Sequence, residues 1–206
     1  QWIWLDRKYE KNQYAEFIVS FHIEETSERY NLLLSATGAY CIFVNGEFAA
    51  CARFDDYPEY KMYDEIDISG FLKKGDNEIL FIVHTMYGWS GRSVLMPPGF
   101  IAAICDSKGN TCFSTSKETL SRLSKTYKSG KDVPPFSNGN FYTADITVAD
   151  FDRSGFALSK LSEGEFTLIP RPCKRIVVRD RLPSILISQG VFKVDDIEDR
   201  SLKLQR

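Results

Sequence analysis

The chain has 206 residues, of which 43% are hydrophobic and 26% are charged, a composition typical of folded globular proteins and not of disordered ones. Its 26 Lys and Arg residues nearly balance its 28 Asp and Glu residues, so a net charge of -2 gives no field that would attract nucleic acid or an anionic membrane. No apolar run approaches the roughly 20 residues that span a bilayer, and we expect neither nucleic acid nor a membrane as a partner.

The first half of the chain predicts a series of β-strands, in keeping with an aromatic content of 14%. Apolar residues recur at mostly alternate positions over 14–21, 30–35 and 62–68, a pattern typical of strands with one buried face. The segment 78–84 is almost continuously apolar and predicts a central strand that is buried on both faces.

Turns of recognisable type separate these strands. Asn45-Gly46 lies between two apolar arms and supplies the two positive-φ residues of a type I′ turn, which predicts a hairpin. Residues 53–61 are polar and aromatic and predict a long loop. Ser69 is predicted to be the N-cap of a short helical turn over 70–74.

The middle of the chain has a weaker pattern. Residues 86–98 contain glycines and a Pro-Pro pair and predict a loop, after which 100–105 and 111–115 predict a hairpin. Residues 117–124 are compatible with either a helix or an edge strand. The stretch 128–140 is rich in Ser, Gly, Pro and Asn and is typical of a loop or linker.

The last third predicts short strands and a domain boundary. The strand candidates are 141–148, 166–169, 176–178 and 184–188, and the prolines of 170–172 predict a stiff extended joint. We expect a β-sandwich over 1–165, with a core of 1–127 and an extension of 128–165, followed by a joint and the start of a further β-module over 166–206. The charged end of the chain, 193–206, has no closing element, as expected of a chain that continues in a longer protein.

The expected fold class follows from the large number of predicted strands and turns and from the small amount of predicted helix. They predict an all-β protein built as an antiparallel β-sandwich with jelly-roll-like topology. An immunoglobulin-type sandwich is the alternative, and it is disfavoured because the chain has no Cys, Trp, Cys series of suitable spacing.

The five cysteines are an odd number with no Cys-x-x-Cys spacing, and we expect buried free thiols. Cys41 with Cys51, and Cys105 with Cys112, lie on paired hairpin arms, where a cross-strand disulfide would form in an oxidising compartment. The odd count and the absence of a signal peptide favour a cytoplasmic location. The first residue, Gln1, indicates a trimmed N-terminus, which would hide a lost signal.

Five segments in the first half of the chain form a recognisable series. They are Gln1-Trp2-Ile3-Trp4, Tyr14-Ala15-Glu16-Phe17, the hairpin 39–48, Tyr63-Asp64-Glu65-Ile66-Asp67-Ile68, and 71–79. This series resembles the N-terminal β-sandwich region of bacterial α-L-rhamnosidases. Related galactose-binding-like sandwiches of other glycoside hydrolases share the hairpin and the Tyr-Asp element that follows it.

The resemblance is weaker farther along the chain. Pro98-Gly99-Phe100 resembles the family's turn into its next strand, whereas 141–145 matches only loosely, and Ile146 stands where the family has Arg. Residues 168–172 resemble the joint toward later modules, and 187–192 a strand of the next one. The resemblance implies that the catalytic carboxylates lie in a helical barrel farther along a parent chain. This chain alone would then be inactive, without a cofactor, and its partners would be the catalytic and other β-domains of that parent.

No motif for catalysis or metal binding stands out. A glycosidase needs two carboxylates about 5–10 Å apart, and neighbouring acids on a strand point to opposite faces. The closest groupings are Asp55-Asp56, Asp64 with Asp67, and Asp195-Asp196. The two histidines, His22 and His84, form neither a triad nor a zinc motif, and His84 is predicted to be a strand-end residue. A structural calcium ion bound by loop carbonyl oxygens is compatible with the sequence, which does not indicate where it would bind.

Two aromatic loops are the candidate sites of carbohydrate contact. Sugars present apolar C–H faces that pack on exposed rings, while planar polar groups bind their hydroxyls. The candidate contact residues are Arg53, Asp56, Tyr57, Tyr60, Tyr87, Trp89 and Arg92. The favoured alternative is that these aromatic residues cover the ends of the sandwich or pack on another domain. Trp2 and Trp4 are likewise predicted to be core or interface residues.

The leading hypothesis is a noncatalytic N-terminal β-sandwich of an α-L-rhamnosidase-like glycoside hydrolase, which braces or extends the catalytic module. One alternative is an independent lectin-like module that binds rhamnose-containing or other glycans through the two aromatic loops. Another is a scaffold that binds protein through an aromatic patch.

Overall fold

The computed structural model describes residues 1–24, 29–54, 56–87, 94–129, 152–164 and 166–178. In these residues two largely antiparallel β-sheets pack face to face, which confirms the predicted all-β sandwich. No helix in this part of the chain is long and apolar enough to cross a bilayer.

Sheet 1 has the strand order β12 (Lys160–Leu161), β1 (Ile3–Trp4), β8 (Phe100–Cys105), β3 (Asn31–Ala36), β6 (Lys61–Asp67) and β13 (Leu168–Pro170), with β9 (Thr111–Ser114) paired to β8. Sheet 2 has the order β11 (Ala157–Leu158), β10 (Leu120–Leu123), β2 (Gln13–Ile23), β7 (Gly75–Thr85), β4 (Ala39–Val44) and β5 (Glu47–Arg53). Short 3-10 turns cover Pro58–Tyr60 and Ser69–Phe71. Among the described strands the only parallel pair is β13 with β6.

Strand β7 lies inside sheet 2, as its apolar run predicts. It pairs with β2 over the full length of both strands, and with β4 on its other side. Ile79, Phe81 and Val83 point into the sandwich and are completely buried. On the opposite face Leu80 and His84 are only 8% and 6% exposed, and burial on both faces accounts for the nearly continuous apolar sequence.

The predicted hairpin joins β4 to β5. Asn45 and Gly46 have φ angles of 50° and 87°, the left-handed values that a type I′ turn requires at both central positions. The side-chain amide of Asn45 also donates hydrogen bonds of 2.8 Å to the Phe71 carbonyl oxygen and to Oδ1 of Asn77. The turn residue therefore also fixes the connection that leads into β7.

The predicted N-cap role of Ser69 is wrong. The short turn Ser69–Phe71 is preceded by Ile68, which makes no side-chain cap. Ser69 Oγ instead accepts a 2.9 Å hydrogen bond from the Tyr30 backbone N–H and donates one of 2.6 Å to Asp67 Oδ1. The hydroxyl joins two chain segments and does not cap the turn. The first N–H of the turn, that of Ser69, donates instead to Asp67 Oδ1 at 3.0 Å.

Residues 117–124 contain strand β10, so the helical alternative is wrong. The strand is not at the edge either, because it pairs with β2 on one side and with the short β11 on the other. Its polar sequence gave no strand pattern, since Arg122 is only 8% exposed and is buried against the carboxylate of Glu16.

The C-terminal part of the described chain lies against the sandwich. Strand β13 corresponds to the predicted strand over 166–169, and just after it the Arg171 backbone N–H donates to the Tyr63 carbonyl oxygen at 3.1 Å. The strand predicted over 176–178 is wrong, because these residues are more than half exposed and pair with no described strand. The domain boundary at 165/166 stays a prediction.

Several other predictions concern parts of the chain that the structure does not describe. They are the linker from 130 onward, the strands over 141–148 and 184–188, and the tail 193–206.

Aromatic rings fill the space between the two sheets. Phe100 of sheet 1 contacts Phe17 and Phe81 of sheet 2, with ring centroids 4.8 and 4.9 Å apart, and Trp4 lies 5.7 Å from Phe17. All four side chains are 0–1% exposed. Burying a large apolar side chain contributes about 1.5–3 kcal/mol, so this cluster is a principal stabiliser of the sandwich. Trp4 is thus a core residue, which is one of the two environments predicted for it.

The cysteines are free, as predicted, but they are not buried. Cys41, Cys51 and Cys105 are half-buried, and Cys112 and Cys173 are exposed. Cys41 and Cys51 lie directly opposite each other on β4 and β5, on the outer face of sheet 2, where the sandwich core does not cover them. On the other hairpin Cys105 lies opposite Thr111, so Cys112 is not its direct cross-strand partner.

Replacing Gly38 by Ala should strongly destabilise the fold. A Cβ atom at Gly38, between β3 and β4, would lie 2.1 Å from the backbone carbonyl oxygen of His84. Because this neighbour is backbone of a central strand, it cannot rotate away, and overpacking of this kind costs about 3 kcal/mol. Chemical denaturation in urea would measure the loss.

Gly70→Ala is the matched control, because no atom lies within 4 Å of its Cβ position and its φ is not positive. That substitution should change the free energy of unfolding by less than about 1 kcal/mol. Equal effects of the two substitutions would contradict the close approach at Gly38.

Candidate functional site

The two predicted aromatic loops leave sheet 2 at the same end. Strand β5 ends at Arg53 and β7 ends one residue after His84, and the register places both residues opposite Ala39 of β4, one on each side. With β4 between them, the two loops start about 10 Å apart. Both predicted loops therefore begin at the same end of the sandwich.

The structure separates the predicted contact residues into different environments. Tyr57 precedes the 3-10 turn Pro58–Tyr60 and Tyr60 ends it, and the two residues are 60% and 65% exposed. Tyr87 is half-buried and makes an edge contact with Tyr9, with ring centroids 5.4 Å apart. Arg53 is half-buried on the outer face of sheet 2. Trp89 and Arg92 lie outside the described residues.

Asp56 is buried in an ion pair and is not placed to contact a ligand. Its side chain is 2% exposed, and its Oδ1 accepts a hydrogen bond from Nζ of the completely buried Lys61. Its Oδ2 accepts a 2.6 Å bond from the Met62 backbone N–H. Lys61 Nζ also donates to the Ala36 carbonyl oxygen at 2.8 Å. The pair fixes the β5–β6 loop to the end of β3.

A second buried ion pair joins the two sheets to the C-terminal segment. The carboxylate of Asp64, on β6 of sheet 1, accepts a 2.6 Å hydrogen bond from the hydroxyl of Tyr40 on β4 of sheet 2. It also accepts hydrogen bonds from Nε and Nη2 of Arg171, the latter at 3.1 Å. Burial first, and then the bond to Asp64, raise the pKa of Tyr40 far above its ordinary value. Tyr40 is therefore a neutral donor.

Phe54 is the apolar neighbour of Lys61 and Arg171, the cations of these two ion pairs. The Arg171 guanidinium lies 4.6 Å from the centre of the Phe54 ring, and Lys61 Nζ lies 5.3 Å from it. Cation–π contacts of this length stabilise desolvated charges by about 1–2 kcal/mol. Phe54, the second residue of the predicted long loop, is thus a core residue, 5% exposed, that positions the charges around it.

A groove with a volume of about 650 Å³ lies on the outer face of sheet 2. Its floor consists of two rows of laterally paired residues, Tyr14, His84, Ala39 and Arg53 in one row and Ile82, Cys41 and Cys51 in the next. Tyr127 closes one side, and residues of the segment 171–178 form the other. We refer to this feature as the sheet 2 groove.

One end of the sheet 2 groove is a stack of three rings. Tyr14 lies 4.3 Å from the His84 ring and 5.3 Å from the Tyr127 ring, nearly parallel to both. His84 Nε2 lies 2.6 Å from Oδ1 of Asn12, to which it donates. Burial and the nearby Arg53 lower the pKa of His84 to about 4. The imidazole is therefore neutral at pH 7 and acts as a flat, largely apolar wall.

The rest of the sheet 2 groove is apolar with a cationic side. Arg53, Arg171, Lys174 and Arg175 line it, and no Asp or Glu is among its described lining residues. The Cys41 thiol on the floor has its pKa raised to about 12, by burial and then by Cys51, so it stays protonated. The groove therefore carries positive charge and no negative charge of its own.

Of the residues that line the sheet 2 groove, only Arg53 is among those that the sequence predicts to contact a ligand. The sequence pattern predicts Tyr14 and His84 only as strand residues, and Arg171 only as part of a joint. Alternation does place Tyr14 on the face opposite Phe17. The sequence contains no pattern, however, that brings 171–178 back onto this face.

Replacing Asp64 by Asn should destabilise the protein by about 3 kcal/mol, because it leaves the Arg171 guanidinium without its buried anion. The Asp64 and Arg171 side chains are 3% and 15% exposed. The matched control is Arg29→Gln, which breaks an Arg29–Asp67 pair whose side chains are 63% and 47% exposed. Exposed pairs contribute only about 0–1 kcal/mol. Urea denaturation would compare the variants, and equal losses would contradict a structural role for the buried pair.

Stability should fall as the pH is lowered from 7 to 4.5, in part because of His84. Its pKa is about 4 in the folded protein against an ordinary value of 6.5, so the unfolded chain binds a proton in this window and the folded chain does not. The stabilisation from keeping His84 neutral is fully present above about pH 6.5. Roughly 2–3 kcal/mol of it is lost by pH 4.5.

His84→Gln should therefore flatten the dependence of the free energy of unfolding on pH between 7 and 4.5. His22→Gln is the matched control, since a hydrogen bond to Asp76 raises the pKa of His22, and its removal cannot flatten the slope. An unchanged slope in His84→Gln would contradict a neutral, buried His84.

Comparisons with known proteins extend this description. No protein-family model matches the sequence, and no curated protein matches it either. Among solved structures, the GH78 family rhamnosidase of Bacillus sp. GL1 is 24% identical and has a TM-score of 0.71, covering 82% of this chain. The α-L-rhamnosidases of Dictyoglumus thermophilum and Aspergillus terreus are each 18% identical, with TM-scores of 0.55 and 0.52 over 82% and 62% of this chain.

The likeness covers only a small part of those enzymes. The matched region is 19%, 22% and 17% of the Bacillus, Dictyoglumus and Aspergillus chains, respectively. This chain therefore spans less than a quarter of each neighbour. At these identities the likeness concerns the fold, and at that level it confirms the predicted resemblance to a β-sandwich region of α-L-rhamnosidases.

Proposed function

We propose that the chain is a noncatalytic β-sandwich domain of an α-L-rhamnosidase-like glycoside hydrolase, and that it supports a catalytic module elsewhere in the same parent chain. The observation that carries this proposal is the asymmetry of the fold match. It covers 82% of this chain and only 19% of the Bacillus rhamnosidase. Such coverage is expected when one module is compared with an enzyme of several modules.

The buried acids support a structural role. Glycoside hydrolysis requires two carboxylates that flank the scissile bond, one of which donates a proton. Glu16, Asp56 and Asp64 are the buried acids of the described chain, and each has a cationic partner within the fold. An acid that is enclosed and paired in this way cannot reach a glycosidic oxygen.

The exposed aromatic turn is the proposed contact with a neighbouring module. Tyr57 and Tyr60 present most of their side chains to solvent on either side of Pro58 and Glu59. Exposed aromatic pairs are enriched at interfaces, because their rings bury a large area on contact. The alternative in which these rings bind a glycan uses the same surface and keeps the two tyrosines as its candidate residues.

The proposed compartment is the cytoplasm. The five cysteines are free in the structure, and Cys41 and Cys51 are unlinked although they lie directly opposite each other. Free thiols in such proximity persist in a reducing compartment.

The intact mass of the native gene product tests the proposed function. A polypeptide several times heavier than 23.6 kDa is expected, since the chain spans so little of its structural neighbours. The purified 206-residue chain should not hydrolyse 4-nitrophenyl α-L-rhamnoside, whereas the parent polypeptide should.

A native mass near 23.6 kDa would refute the proposal. It would also be refuted by turnover of the aryl rhamnoside that is lost when one carboxylate of this chain is changed to its amide. The amide variant is the matched control against a contaminating hydrolase, whose activity would survive the substitution.

A further inference from the structure

The proposed supporting role does not use the sheet 2 groove. We propose that this groove binds a small organic anion with a flat, apolar body and a carboxylate group. This ligand site goes beyond the proposed function and does not depend on it. The shape of the floor, the distribution of charge and the apolar lining all favour such a ligand.

The floor has the size and shape of a small-molecule site. Its volume of about 650 Å³ lies within the range of roughly 300–1,000 Å³ that is typical of ligand pockets. Depth comes from Ala39, whose methyl group lies between the larger side chains of His84 and Arg53 in the same row. The next row presents Cys41 and Cys51, which are also small. A short trough of small residues is thus bordered by rings on one side and by cations on the other.

The charge of the sheet 2 groove is unbalanced. Arg171 is neutralised by Asp64, but Lys174 and Arg175 form no ion pair with any described acid. The Arg175 guanidinium is held over the floor by a bond from Nη1 to the Cys51 carbonyl oxygen, at 3.4 Å. A guanidinium has five N–H donors in a planar fork, so most of them are available to a carboxylate.

The apolar lining determines the body of the ligand. Ile82 and Cys41 on the floor, and Ile176 and Val178 on the wall, offer no hydrogen-bonding groups beyond the weak thiol. A neutral sugar carries hydroxyls around its ring and would leave several of them facing these side chains without partners, which is unfavourable. An aromatic or similarly flat carboxylate places its ring against the Tyr14, His84 and Tyr127 stack and its anion at Arg175.

The exposed wall gives a second reason to expect an occupant. Ile176 and Val178 are 83% and 54% exposed, although their side chains border the groove. A ligand with an apolar body would cover part of this surface. Removal of this apolar surface from water favours binding in addition to the charge.

Isothermal titration calorimetry on the 206-residue chain tests the site. The probes are benzoate, 4-hydroxycinnamate and 2-naphthoate, with methyl 4-hydroxycinnamate and L-rhamnose as uncharged comparisons. Saturable binding of at least one carboxylate is expected. The methyl ester should bind at least tenfold more weakly than 4-hydroxycinnamate, because it cannot form the charged pair with Arg175.

Two variants address the two halves of the site. Arg175→Gln should weaken carboxylate binding at least tenfold, and Ala39→Leu should abolish it by filling the trough. Lys73→Gln, a cation outside the groove, is the control for a general effect of charge. Circular dichroism would check that each variant is folded, and the Arg175 variant removes no contact of the sandwich core.

Absence of binding by all three carboxylates would overturn the proposal. Equal affinity for the ester and the acid, or unchanged affinity in both groove variants, would do so as well. Competition by L-rhamnose at the same site would replace it with a glycan site. None of these outcomes bears on the mass or the turnover measurements, so the failure of the ligand site and the failure of the supporting role are distinguishable.

Discussion

The carboxylate of Asp64 is the point on which the arrangement of the molecule depends. It accepts hydrogen bonds from Tyr40 of the opposite sheet and from Arg171 of the C-terminal segment, and it is 3% exposed. A buried carboxylate is costly unless its charge and its lone pairs are satisfied. Because the two partners come from different parts of the chain, satisfying Asp64 links the two sheets to each other and holds Arg171 beside sheet 2.

Local pattern was sufficient for most of the strands. The Asn45-Gly46 turn and the apolar run of β7 each carry their structural information within a few residues, since turn type and strand burial depend on φ angles and on alternation. The same local reasoning failed where a polar residue is buried. Arg122 gave no strand pattern because its burial depends on Glu16, which is 106 residues away in the sequence.

The candidate site was harder to predict because it depends on register and on distant contacts. A two-residue turn at 45–46 with regular pairing would place Cys41 opposite Ala50. A bulge between Ile42 and Phe43 shifts the register by one residue, so that Cys41 lies opposite Cys51 and both line the groove. Arg171 reaches Asp64 across 107 residues. Neither the bulge nor that contact has a signature in the sequence.

In the segment after β13, Arg171 has a structural role and Arg175 is the proposed ligand contact. Arg171 is half-buried and neutralised, so its contribution is to the position of the segment. Arg175 is held only by a long bond to the Cys51 carbonyl, and its charge is not neutralised by any described acid. Because Arg171 holds the segment in place, Arg175 is presented to solvent at a fixed position over sheet 2. Stability and ligand recognition thus depend on different residues. The charge of Arg171 is satisfied inside the fold, while that of Arg175 stays available for a ligand.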